Sequence, residues 1–259
     1  MTLDLAGLAS SHADMRIWLT MAPGSSPVDG PAAGDADPGH EDAAPAAAGA
    51  ASLFVLALSS RDVFDALGDL GAPFPGPLPQ AAAAARSAGD LPSLHHLVRR
   101  AFQLDRALPD GPLRTFIERT ASLPRTTQVE RLAVQRVGQD IFRDRLLDYW
   151  DGRCAITGLD VPERLRASHI KPWADCESDT ERLDVFNGLL LAPHLDAAFD
   201  RGFISVADDG VVLVSPTLPQ DARRCLGLDA PLRLRAVHAS HSAYLAWHRR
   251  SAFRWEVSR

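Results

Sequence analysis

Leu165–Trp173 reads LRASHIKPW, and Glu181–Ser205 reads ERLDVFNGLLLAPHLDAAFDRGFIS. Leu165–Ile170 is a short β-like run, as is Arg153–Gly158 (RCAITG), and Leu159–Arg164 joins the two. Asn187–Ala192 is apolar and leads into Pro193–Asp200 (PHLDAAFD), a short helix with Pro at its start. This order places His169 at the end of a hairpin strand, Asn187 eighteen residues later, and His194, Asp196 and Asp200 on the helix that follows. Hydrolysis of a phosphodiester needs an activated water, a cation to stabilise charge on the phosphorus centre and leaving oxygen, and ligands for that cation. A neutral imidazole such as His169 suits the first task, because it takes a proton near working pH. Carboxylates or an imidazole on a neighbouring helix suit the last. His194 and Asp196 are two residues apart, about 200° around a helix, so only one of them faces a given cation. Asp196 and Asp200 share a face, and a hard cation prefers their oxygens.

The motif is flanked by elements that read clearly. Thr127-Gln-Val-Glu130 fits a capping box and starts a long helix running to about Trp150. Val129, Ala133, Val137 and Ile141 step by four and form its expected apolar stripe. Arg136, Gln139 and Arg143 emerge together on another stripe, which is either a solvated face or a phosphate-contacting one. Lys171, the sole lysine, is a second candidate phosphate contact. Trp173 is expected to pack the hairpin against the helix. Phe203–Ala207 and Val211–Ser215 flank Asp208-Asp209-Gly210, a strong hairpin turn. Arg233–Val237 reads as a further strand and His241–Phe253 as a closing helix.

The run RCAITG, LRASHIKPW, FNGLLL and LDAAFDRG, together with RVGQDIFR (Arg136–Arg143) before it, resembles the HNH endonucleases of the ββα-metal, or His-Me finger, fold, in the bacterial restriction-like branch. The similarity covers about Thr127–Ser215. It implies a divalent metal ion, Mg²⁺ or else Mn²⁺, and DNA as substrate and partner. On this resemblance His169 falls on the general base. Asn187 falls on the central Asn, which braces the loop or helps hold the metal site. Asp196 falls on the third position, with His194 as its rival. Many relatives carry a metal-binding Asp or His immediately before the base; here the residue is Ser168, a poor ligand. A water, a backbone carbonyl or Asp200 then completes the metal shell. Two other functions remain open: a module of the same fold with a weakened metal site that binds DNA without cutting it, and a toxin-like nonspecific nuclease.

The rest of the chain bounds these readings. The 259 residues carry a net charge of −6, and all of it belongs to residues 1–124, which hold 8 Arg and 14 acidic residues. Residues 125–259 hold 19 basic and 19 acidic residues, and a neutral half can still present the local basic face that phosphate contact needs. Met15–Met21 and Ser52–Ser59 read as strands that pair as a hairpin. Between them, Pro23–Ala51 is dominated by Ala, Gly, Pro, Asp and Ser and reads as a disordered insertion. Arg61–Leu70, Leu91–Leu108 and Pro112–Ser122 read as helices. The expected fold class is α+β, with an N-terminal α/β-type domain of unknown role over 1–124 and the nuclease domain over 125–259, its core motif at 153–215. Cys154, Cys176 and Cys225 form no CxxC pair, which argues for reduced thiols in a cytoplasm, with Cys154 a small buried apolar residue. No apolar run is long enough to span a bilayer, and the start Met1-Thr2-Leu3-Asp4 has no basic leader region. The oligomeric state is left open, a homodimer included.

Overall fold

The structure, a computed structural model, describes residues 3–4, 15–23, 52–108, 110–124 and 126–255. The expected insertion Pro23–Ala51 lies outside them, apart from Pro23. The chain divides into two compact units, Met1–Ala101 and Phe102–Arg259.

The first unit is a five-stranded sheet with two helices. Its strands are β1 (Leu3–Asp4), β2 (Ile17–Pro23), β3 (Ser52–Leu58), β4 (Ala72–Pro73) and β5 (Ala84–Ala88), in the order β1-β2-β3-β5-β4. Every pairing is antiparallel, so this unit too is α+β in character. The β2–β3 ladder runs from Ile17↔Leu58 to Pro23↔Ser52, the hairpin read from the sequence. Trp18, Val55, Ala57 and Ala85 form a buried cluster on one face. Helix α1 (Arg61–Ala66) starts at Ser60, whose hydroxyl accepts from the Val63 amide. Helix α2 (Leu91–Ala107) begins in this unit.

The second unit opens with the end of α2, followed by α3 (Asp110–Thr120) and α4 (Gln128–Tyr149). The expected division falls at 124/125. In the structure α3 packs on α4, with Phe116 against the helix at Gly138, so α3 belongs to the second unit. The capping box of α4 is present. Thr127 Oγ1 accepts from the Glu130 amide at 3.2 Å, and the Glu130 carboxylate accepts from the Thr127 amide at 2.8 Å. The apolar stripe is not the expected one. Val134, Gly138, Ile141, Phe142, Leu146 and Tyr149 face inward, while Val129 is 76% exposed. The larger residues turn toward the hairpin below, and Gly138 gives room for the Trp173 ring.

That hairpin pairs β6 (Arg166–His169) with β7 (Gly188–Leu191), in register from Arg166↔Leu191 to His169↔Gly188. Between the strands lies α5 (Asp179–Leu183). Arg153–Gly158 is not the partner strand. It closes on itself through Cys154 N–H to the Leu159 carbonyl and reaches β7 by one bond, Ala155 N–H to the Leu190 carbonyl. The following α6 (Pro193–Asp200) has the bounds read from the sequence. Next come β8 (Ile204–Val206) and β9 (Val212–Val214), an antiparallel pair turning at Gly210 with φ +87°. Arg233–Val237 makes only an isolated bridge, Val211↔Arg233. Helices α7 (Gln220–Cys225) and α8 (His241–Ser251) complete the unit. Gly202, with φ +70°, lets the turn after α6 meet the Ala252 carbonyl, where a Cβ would collide. No helix among the described residues is long and apolar enough to cross a membrane.

Candidate active site

β6, the loop after it, α6 and α8 surround a cleft of about 390 Å³ lined by Ser168, His169, Trp173, Asp200, His248 and Ala252, among others. His169 ends β6, where its ring stacks on Phe142 of α4 at 3.7 Å and meets the edge of Trp173 at 5.8 Å. Nε2 lies 2.9 Å from the Arg182 carbonyl oxygen. A carbonyl only accepts, so Nε2 carries the proton and, in the neutral ring, Nδ1 carries the lone pair. Burial pushes the His169 pKa down to about 4 against the raising effect of the Arg182 carbonyl, so the imidazole is neutral near pH 7. Nδ1 has no hydrogen-bond partner among the described residues.

Asn187 is fully buried and does not line the cleft. Its Oδ1 accepts from the Lys171 amide at 2.8 Å, and Nδ2 donates to the carbonyls of Lys171 at 3.1 Å and Glu181 at 3.2 Å. It ties the residues that follow β6 to those that precede β7. Lys171 is held in the same loop: Nζ donates to Glu181 Oε1 at 2.8 Å, with the side chain largely covered.

Ser168 is 3% exposed, and its hydroxyl donates to Asp200 Oδ1 at 3.1 Å. The Asp200 carboxyl is raised above its ordinary value, first by burial and then by the charge of Asp196, with the Ser168 hydroxyl opposing both. Asp200 and Ser168 therefore line one side of the cleft; Asp196 stands one helical turn before Asp200 on α6 and, like His194, is not among the lining residues, although its charge acts on Asp200. These are hard oxygen donors, and they fit a divalent cation of the Mg²⁺ type, which keeps several waters and takes one or two carboxylates from the protein. No three His, Cys, Asp or Glu residues converge as a closed metal site among the described residues. His194 is exposed on α6 and does not line the cleft.

The arginine stripe of α4 divides. Arg143 donates to the carbonyls of Leu165 at 2.7 Å and Pro162 at 2.9 Å, anchoring the approach to β6. Arg136 and Gln139 are exposed. Three contributors escaped the sequence reading. Arg182 acts on His169 through its carbonyl, and its guanidinium donates to the carbonyls of Trp173 and Cys176 and to Asp179. A backbone carbonyl leaves no mark on a sequence. Phe142, the platform under His169, looks there like any core residue. His248 reaches the cleft wall from α8, with both ring nitrogens engaged: Nδ1 with Ser205 Oγ at 2.9 Å and Nε2 with the Phe199 carbonyl at 3.2 Å. It shapes the wall and has no lone pair left for chemistry.

Residues 154–207 match the HNH endonuclease family, and this segment is an HNH-type domain. The matched span includes His169, Asn187 and the whole of α6. Three solved chains match this one. Among them is a modification-dependent TagI restriction endonuclease, 18% identical, aligned over 44% of this chain and 38% of that chain with a TM-score of 0.31. The chain thus spans well under half of that enzyme's length. No curated protein matches it.

Proposed function

We propose that this protein is a metal-dependent endonuclease that hydrolyses phosphodiester bonds in DNA, with His169 as the general base. The observation behind the reading is the hydrogen bond from His169 Nε2 to the Arg182 carbonyl, which leaves Nδ1 as the acceptor at the cleft. A water attacking the scissile phosphorus gives its proton to Nδ1 as the new P–O bond forms. The resulting imidazolium keeps its Nε2–H on the carbonyl, and the bond to the leaving oxygen breaks. The anionic phosphate beside the ring favours the imidazolium and raises the low resting pKa toward the working range. Phe142 and Trp173 hold the ring plane. Asp200 and Ser168, with Asp196 one turn away, would hold a divalent cation, which would supply positive charge against the developing negative charge on the phosphate oxygens. The test is incubation of supercoiled plasmid with the protein in Mg²⁺, Mn²⁺ or EDTA. Nicking or linearisation with either metal and none in EDTA is expected; an intact plasmid under all three conditions sinks the proposal.

A second reading has its own observation. Ser168 stands where a stronger ligand would, and no three-ligand group is present among the described residues. On that reading the domain binds DNA and does not cut it, and the same plasmid would be retarded in a gel but remain supercoiled.

A further inference from the structure

We propose that Arg201, Arg254 and Trp255 form a contact for the DNA strand at the rim of the cleft; this rests on the DNA-cleavage reading above. Asp200 and Ala252 both line the cleft. The residues beyond them leave it side by side: Arg201 follows Asp200, and the Arg254 amide donates to the Gly202 carbonyl at 3.0 Å. Gly202 itself sits against the Ala252 carbonyl. The segment from Ala252 to Arg254 is therefore fastened to the turn that follows α6, and both are continuous with the cleft.

Arg201 and Arg254 are exposed, and among the described residues neither takes part in an ion pair. Two nearby arginines are instead neutralised, Arg249 by Asp208 with a further bond to the Val206 carbonyl, and Arg233 by Asp209. The Arg254 guanidinium lies 4.4 Å over the Phe203 ring, which holds the cation in place without neutralising it. Trp255 donates its indole N–H to the Arg249 carbonyl at 2.8 Å and sets its ring edge-on to Phe253 at 4.7 Å, yet stays 57% exposed. Its polar atom is satisfied, so the face left in solvent is an apolar platform anchored at one edge. An unneutralised Arg254 next to such a platform, with Arg201 one residue before the Gly202 to which the Arg254 amide is bonded, complements a phosphodiester strand, whose phosphates take charge and whose sugars and bases take apolar contact. The rim lies along the exit from the cleft, where a strand with its scissile phosphate at His169 continues.

The experiment measures binding of a fluorescein-labelled DNA duplex to the full chain in EDTA across a salt series, with a thermal melt of each variant. R201A and R254A should each lower the slope of log affinity against log salt by about one, the amount expected for one lost phosphate contact. W255A should weaken binding on the order of 10-fold. R254K and W255F should bind close to wild type, and W255F should lose most of the DNA-induced tryptophan quenching. Wild-type affinity and salt slope in all three alanine variants overturn the proposal, as does weakened binding that only tracks a fall in melting temperature. If the wild type cuts DNA and the variants bind unchanged, the rim alone is wrong. If the wild type binds no DNA, the rim and the nuclease reading fall together.

Discussion

Replacing Asn187 with Ala probes the brace on which the catalytic loop depends. Asn187 is fully buried, and its side chain serves the Lys171 amide, the Lys171 carbonyl and the Glu181 carbonyl, with a longer contact to Cys176 Sγ at 3.4 Å. In Asn187→Ala the Lys171 N–H loses its acceptor and the two carbonyls lose a donor. A buried polar group left unsatisfied costs about 1–3 kcal/mol, less for a carbonyl that keeps a second partner, so the three together come to about 3–5 kcal/mol. That is a large share of the stability of a small domain, typically about 5–15 kcal/mol. Asn187→Asp separates hydrogen bonding from packing. It keeps the shape and the acceptor for Lys171 but turns an anionic oxygen toward two carbonyls, and it should be at least as damaging as Ala. The assay is urea unfolding followed by tryptophan fluorescence, with plasmid cleavage at a temperature where both variants are folded. Cleavage should also fall, because the braced segment includes Arg182, whose carbonyl holds His169. A loss below about 1 kcal/mol for Ala, or an Asp variant as stable as wild type, would show that Asn187 does not brace this loop.

The remaining predictions concern the metal side, the turn after α6 and acid stability. Asp200→Asn and Asp196→Ala should raise the Mg²⁺ or Mn²⁺ concentration needed for half-maximal cleavage, or abolish cleavage, while His194→Ala changes it little; a crippled His194→Ala with normal Asp variants would move the ligand set. Gly202→Ala should destabilise by at least about 2 kcal/mol, since alanine is strained at positive φ and its methyl meets the Ala252 carbonyl; an unchanged melting temperature contradicts this. His241 and His248 are buried neutral, and burial lowers each pKa from 6.5 to about 4. Because these folded values lie below the unfolded one, the unfolded chain binds more protons between them. Stability is full above about pH 6.5 and falls as pH drops toward about 4, by about 3 kcal/mol per histidine. Unfolding free energies that stay flat across that window would contradict the assignment.

What the sequence made legible was whatever local chemistry decides. The capping box at Thr127 and Glu130, the bounds of α6 and the Asp209-Gly210 turn each depend on residues within a few positions, and each is present. The apolar stripe of α4 was misread by one position, because small and medium apolar residues lie on both faces and only packing against β6 and β7 decides which is buried. Strand β5 went unassigned because its alanine-rich run favours helix by propensity, and pairing with β3 overrides that preference. RCAITG has strand-like residues, but Gly158 at φ +72° bends it back on itself. In the site, His169, Ser168 and Asp200 were visible as side chains and meet in one cleft. The Arg182 carbonyl and the wall supplied by His248 depend on tertiary placement and have no sequence mark. Arg143 and Lys171 illustrate the converse, since a basic residue in the right stripe can be committed to carbonyls or a carboxylate inside the fold.

The role of His169 as general base is read from the single-turnover rate of DNA cleavage by His169→Ala beside wild type, at saturating Mg²⁺, with DNA affinity measured in EDTA. At a temperature where both proteins are folded, the expected rate is lower by about 10²–10⁴, with DNA affinity close to wild type. A His169→Ala protein that cuts DNA at the wild-type rate would contradict that role.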